Sequence, residues 1–257
     1  FMTQTIQRKL NDSAFVRWSA LILIALMMFF AYMFVDMLSP LKELLETQLN
    51  WDSTTFGTYA ASEYFLNVFC FFLIFAGIIL DKMGIRFTGL LSASLMVIGA
   101  CIKFYAMSEW FAGSGLEAWL NSWWVALPGS AKLSCLGFMI FGCGCEMAGT
   151  TVSKAIAKWF KGKEMAMAMG LEMSIARLGV FAAMWLAPLV SDSFGKSVSA
   201  PVAFGAVLLM IGLIFYFVFV VLDRKFDKQL EACGELTQET SEEEFKFSDL
   251  GKIFTSK

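Results

Sequence analysis

No charged residue interrupts the 22 positions 201–222. A run of that length and character matches the roughly 20 apolar residues that an α-helix needs to cross a hydrocarbon core. Five further windows reach spanning length: 14–35, 55–80, 87–107, 133–156 and 165–190. The chain is 58% hydrophobic and 16% charged, against about 25% charged in soluble domains, so it reads as an integral, multi-pass membrane protein. In hydrocarbon every backbone polar group must be paired within the protein, which makes the helix the expected spanning element. The expected fold class is an all-α membrane protein with a six-transmembrane-helix bundle over residues 14–222.

Lysine and arginine placement sets the orientation. One side collects Arg8, Lys9, Arg17, Lys82, Arg86, Lys158, Lys161, Lys163, Arg224, Lys225 and Lys228, and the other holds Lys42, Lys132 and Lys196. Both termini are therefore expected in the cytoplasm, with 1–13 as the N-terminal segment. Residues 223–257 read as a polar linker toward a missing second six-span half, in which Ser248 or Asp249 caps a short helix. Short termini without a sorting signal favour a bacterial cytoplasmic membrane. The outer loop 108–132 carries Trp110, Trp119, Trp123 and Trp124, with Leu116 and Leu120 at helical spacing. It reads as an amphipathic turn in the outer interface, or as a dock for an accessory membrane subunit.

Several chemistries are excluded or unsupported. The chain has no histidine, which removes Ser-His-Asp hydrolysis and histidine-ligated zinc. Of six cysteines, five lie inside apolar runs, and Cys143-x-Cys145 has neither redox nor metal spacing. No phosphate-binding glycine loop and no basic nucleic-acid stripe are present. The chain is expected to be no enzyme and to need no cofactor or metal.

The charges inside the spans carry the functional argument. Glu146 lies 13 residues before Trp159, and Arg177 lies 13 residues after Glu164. At the helical rise both sit about 20 Å from one membrane surface, near mid-bilayer. A charge there costs roughly 2.5–3.5 kcal/mol on insertion scales and marks a functional site. Two readings stand: a substrate site, or a structural pair in which Arg177 neutralises Glu146 or Glu172. Asp36 and Glu63 lie toward the outer ends of their spans, as proton-coupling carboxylates or gate-lining groups. Tyr32, Tyr59, Tyr64, Asn67 and Trp185 are candidate cavity residues. Lys103 needs a polar interior or an interface within reach, and Lys154 reads as a snorkelling anchor. Gly142, Gly144, Ala148 and Gly149, with Gly170, Ser174, Gly179 and Ala183, are expected to let helices approach closely.

Between the second and third runs the chain reads Gly77-x-x-x-Asp81-Lys82-x-Gly84-x-Arg86. Gly84 permits a tight turn and Gly77 a close neighbour. Asp81 has the wrong sign for a helix C-terminus, so it needs a partner such as Arg86 or the N-terminus of another helix. This spacing resembles the signature of the major facilitator superfamily. The resemblance implies the N-terminal half of a twelve-span transporter, in which Asp81 meets a helix of the other half and latches the outward-open state.

Within that superfamily the pattern is similar to the branch containing the lysosomal dipeptide uniporter. The matching residues are Glu146 after a glycine-rich lead, Trp159-Phe160-Lys161-Gly162-Lys163-Glu164, Gly170-Leu171, and Ser174-x-Ala176-Arg177-x-Gly179. Tyr32, Asp36 and Pro40 fit as well. Glu172 and Lys154 depart from the branch, where uncharged polar residues are expected, and the outer loop is longer. The resemblance implies that Glu146 and Arg177 handle the two ends of a dipeptide. That agrees with the chemistry, because a dipeptide is a zwitterion and a guanidinium fork suits a carboxylate. The expected function is dipeptide uniport by alternating access. The alternatives are a proton-coupled sugar or organic-anion carrier, and a six-span scaffold or homodimerising half.

Overall fold

The computed structural model describes residues 10–232, and these are helical with no strand among them. Eight α-helices follow in order: α1 (Ala14–Asp36), α2 (Lys42–Leu49), α3 (Ser53–Phe69), α4 (Phe72–Ala106), α5 (Gly115–Asn121), α6 (Gly129–Trp159), α7 (Met165–Ser193) and α8 (Ser199–Ala232). Five stretches among the described residues are long and apolar enough to cross a membrane: α1 with α2, α4, α6, α7 and α8. The 17 residues of α3 span only about 26 Å and carry Glu63 and Asn67.

The run 55–80, expected as one helix, is therefore two. The chain breaks after Phe69, and Phe71 takes a left-handed conformation at φ 50°. Val68, Phe69, Cys70 and Phe71 are all exposed, so no neighbouring helix holds the register across the break. The expected separation at Gly84 is a turn inside α4, at φ 74° and ψ 170°. Packing shows that the chain reverses there. Before it, numbering rises together with that of α6, as Gly142 packs on Glu63 and Lys154 bonds Asp81. After it the order inverts, as Ser92 meets Gly144 and Gly99 meets Gly137. A side chain at Gly84 would require a backbone that L-residues rarely adopt.

The helix contacts follow an exchange. α1 packs against α7 and α8, and α6 packs against α3 and α4. α4 also meets α8, and α1 meets α6. The early helix α1 thus lies against the late helices α7 and α8, and the later α6 against the earlier α3 and α4.

One end of the bundle gathers the turn at Gly84, the connection between α6 and α7, and the last turns of α8. There the Leu10 N–H donates to Gln229, and Lys163 bonds Asp12 at 2.9 Å. α8 runs ten residues past Leu222, so the expected linker boundary at 223 is helix, held by Asp223 and Asp227. Linker positions 233–257, including Ser248 and Asp249, and N-terminal positions 1–9 lie outside the described residues.

The other end holds α2 and α5. Asp52 caps α3 through the Thr55 N–H at 2.7 Å, and Trp51 donates to Ser130 at 3.0 Å. In the outer loop Ser114 caps α5, and Glu117 reaches back to the Gly113 N–H at 2.6 Å. Leu120 is buried there, while Trp110, Trp119, Trp123 and Trp124 are exposed.

Candidate functional site

Glu146 stands on α6 and Arg177 on α7, and both charges act on Tyr32 of α1. The Arg177 guanidinium lies 5.3 Å from the Tyr32 ring centroid. The charges that act on Tyr32 are those of Arg177, Glu146 and Glu172, with Cys145 beside them. The parallel packing of α1 and α7 makes this possible, because Gly179 has no side chain and lets the Phe29 carbonyl approach α7 directly. Two residues earlier, about 200° around the helix, Arg177 leaves the opposite face.

That face is open. Arg177, Ser174 and Gly170 are exposed along α7, as are Thr150 and Ser153 along α6, and no atom lies within 4 Å of a side chain added at Gly149 or Gly170. Gly149, Gly170 and Ser174 were expected as packing residues. They line the exposed polar stripe instead, while Gly142, Gly144, Ala148, Gly179 and Ala183 do pack. Neither Glu146 nor Arg177 closes an ion pair among the described residues, and Glu172 does not pair with Arg177.

The remaining candidates divide. Trp185 is 63% exposed, two turns outward from Arg177 on α7. Tyr64 is exposed beside Glu63, and Asp36 ends α1, where the Ser39 hydroxyl donates to it at 3.2 Å. Tyr59, Asn67 and Glu63 do not line the open face. Tyr59 is buried and stacks on Phe138 at 4.7 Å, Glu63 is 3% exposed, and Asn67 donates to the Glu63 carbonyl at 3.4 Å. Their burial follows from the close approach of α3 to α6 at Gly142.

The signature is also repartnered. Asp81 bonds Lys154 at 2.8 Å, so Lys154 is more than an anchor. Arg86 turns away to α8, where it pairs with Asp227 at 3.0 Å and lies 3.8 Å from Asp223. Lys158 reaches both aspartates, and the Trp159 indole donates to Asp223 at 3.0 Å. The Tyr216 hydroxyl donates to the Ile85 carbonyl at 2.7 Å, pinning the start of the returning helix. Lys82 is exposed. Gly77 has no neighbour within 4 Å of an added side chain, so the close approach expected there is absent among the described residues. Asp223, Asp227 and the surroundings of Lys103 escape a sequence reading, although a lone lysine in an apolar run is a signal for the last.

A recess of about 850 Å³ lies between α3 and the first turns of α6, with Trp123 and Trp124 in its lining. Its lining is apolar apart from a few hydroxyls and Lys132, and it does not reach Glu146 or Arg177.

The family model of the Major Facilitator Superfamily matches residues 24–257. The chain belongs to this superfamily of transporters. The chain is also similar to the lysosomal dipeptide transporter of Bos taurus, at 25% identity over 89% of this chain and 47% of the relative. Its counterpart in Danio rerio is 26% identical over 89% of this chain and 48% of the relative. That of Gallus gallus is 28% identical over 52% of this chain and 31% of the relative. The chain spans about half the length of the curated relatives it matches.

Proposed function

We propose that the complete protein moves zwitterionic dipeptides across its membrane by alternating access, as a uniporter, with six crossings contributed by this half. The turn at Gly84 divides α4 between the second and third crossings, and α3 forms the outer part of the second. Glu146 receives the peptide ammonium, and Arg177 receives its carboxylate through two parallel N–H bonds. Tyr32 spaces them, and Trp185 flanks the site on its outer side. The single observation that carries this reading is that Arg177 lies on the Tyr32 ring within the field of Glu146, while neither charge closes an ion pair among the described residues. Unpaired charges at this depth are costly, and a zwitterion supplies both missing partners at once. The open face is half of a site, completed by the second six-span half. The setting we propose is a bacterial cytoplasmic membrane with both termini inside.

The test is counterflow of radiolabelled alanyl-alanine in proteoliposomes holding the complete protein, beside thermal melting with and without the peptide. Saturating peptide at about 100 times its Kd should stabilise the fold by about 2.7 kcal/mol. Both signals should vanish in Arg177→Ala. Transport of sugars but not peptides, or peptide transport that survives Arg177→Ala, would overturn the reading.

A further inference from the structure

Lys103 is fully buried on α4, and its ammonium has no hydrogen-bond partner among the described residues. It sits in a cage of three rings drawn from three other helices: Phe34 of α1 at 4.3 Å, Phe138 of α6 at 4.6 Å and Tyr59 of α3 at 5.0 Å. Aromatic faces attract a desolvated cation but supply no countercharge. The carboxylates whose charges act on Lys103 are Glu63 of α3 and Asp36 of α1. Glu63 lies one turn inward of Tyr59, and it also faces Glu146 and Tyr64, so it stands between the cage and the central site. Around these helices the interior holds Asp36, Glu63, Glu146 and Glu172 against only Lys103 and Arg177.

We propose that Lys103 is a positioning and charge-balancing residue, the built-in counter-cation of Glu63, whose field sets the charge preference of the central site. A caged lysine offsets the buried acid without neutralising Glu146, which stays available to a substrate ammonium. Removing this cation leaves the interior one unit more negative in a weakly screened medium. The site then favours solutes carrying an extra positive charge and rejects those carrying an extra negative one. The selectivity part rests on the dipeptide reading, whereas the pairing of Lys103 with Glu63 does not.

The test therefore has two arms on the complete protein, with wild type, Lys103→Met, Glu63→Gln and the double variant. In proteoliposomes, the ratio of lysyl-alanine to glutamyl-alanine uptake should rise on the order of tenfold in Lys103→Met. It should return toward wild type when Glu63→Gln is added. In melting experiments without substrate, Glu63→Gln alone should lower Tm by about 5 °C or more, because it strands a buried ammonium. In the Lys103→Met background the same change should leave Tm unaltered or raise it. An unchanged uptake ratio would overturn the selectivity role, and an equal melting penalty in both backgrounds would overturn the pairing. If wild type carries none of these peptides, the dipeptide reading fails, and the melting arm still decides whether Lys103 balances Glu63.

Discussion

The end of the bundle that carries the Gly84 turn and the bundle's centre are built from the same kinds of charged residue, put to opposite use. At that end four acids have named cations: Asp81 with Lys154, Asp227 with Arg86 and Lys158, Asp223 with Lys158, and Glu164 with Arg17. At the centre Arg177 lies on the Tyr32 ring and closes no ion pair with Glu146, and Lys103 sits in an aromatic cage with no hydrogen-bond partner among the described residues. Closed pairs tie helices together. Open ones leave interaction free energy to be supplied by whatever enters. The contrast teaches that partnering, rather than charge content or depth, separates the parts of this half that hold shape from the part that receives a solute.

The contrast is broken most forcefully at Asp223. It is fully buried, and it accepts from both Lys158 and Trp159 while lying near Arg86. Asp223→Ala leaves the buried Trp159 indole without its acceptor and takes from Lys158 and Arg86 one of their two carboxylates, Asp227 remaining, and a buried pair broken from one side costs about 3–5 kcal/mol. Thermal melting in detergent should register it as the largest loss of stability of any single charge change. Glu146→Gln should do the reverse. Stability without substrate should stay within about 1 kcal/mol of wild type, while dipeptide counterflow falls by about 100-fold, equivalent to about 2.7 kcal/mol of lost recognition. A large drop in Tm for Glu146→Gln would place Glu146 among the structural pairs and erase the distinction.

The two faces of α6 offer a sharper version with one residue type. A methyl group at Gly142 would collide with the Glu63 carbonyl, which is backbone and cannot swing aside, whereas one at Gly149 meets nothing within 4 Å. Gly142→Ala should cost about 1–3 kcal/mol through overpacking. Gly149→Ala should stabilise by up to about 1 kcal/mol, because alanine is the better helix former. If the second change instead suppresses transport at unchanged Tm, the open stripe is a surface that moving parts touch.

How much of this was legible in the sequence depends on how local each signal was. The apolar runs of α1, α6, α7 and α8, the turn at Gly84 and the need of Asp81 for a partner all follow from residues close together in the chain. The break at Phe71 does not, because neither glycine nor proline stands at 69–72 and the cause is the absence of a packed neighbour. Arg86 finding α8 and Lys103 finding rings on α1, α3 and α6 depend on which helices are adjacent in space. Equal depth made Glu146 and Arg177 visible from spacing alone. That Arg177 meets Tyr32 and that Tyr59 is buried needed the packing of α1 on α7 and of α3 on α6.

The smallest effect tests whether even an exposed member of the network at the Gly84 end behaves as a closed pair. A hydrogen bond from its own backbone N–H holds the Glu164 carboxyl below the ordinary carboxylate range, and the Arg17 guanidinium at 3.0 Å lowers it further. A group whose folded pKa is depressed adds stability above its unfolded pKa, about 4.3 for glutamate, and loses it as pH falls through the lower folded value. The difference in Tm between wild type and Glu164→Gln should therefore be constant from pH 7 to pH 5 and close below about pH 4. It should also shrink in high salt, since the Glu164 side chain is 54% exposed. Arg17 keeps the Asn11 carbonyl at 2.7 Å and the Phe160 ring at 5.5 Å when Glu164 is protonated. Acid should thus loosen the clamp between α1 and the start of α7 without stranding a cation, and the exposure of the Glu164 side chain, against the full burial of Asp223, is what separates the two positions.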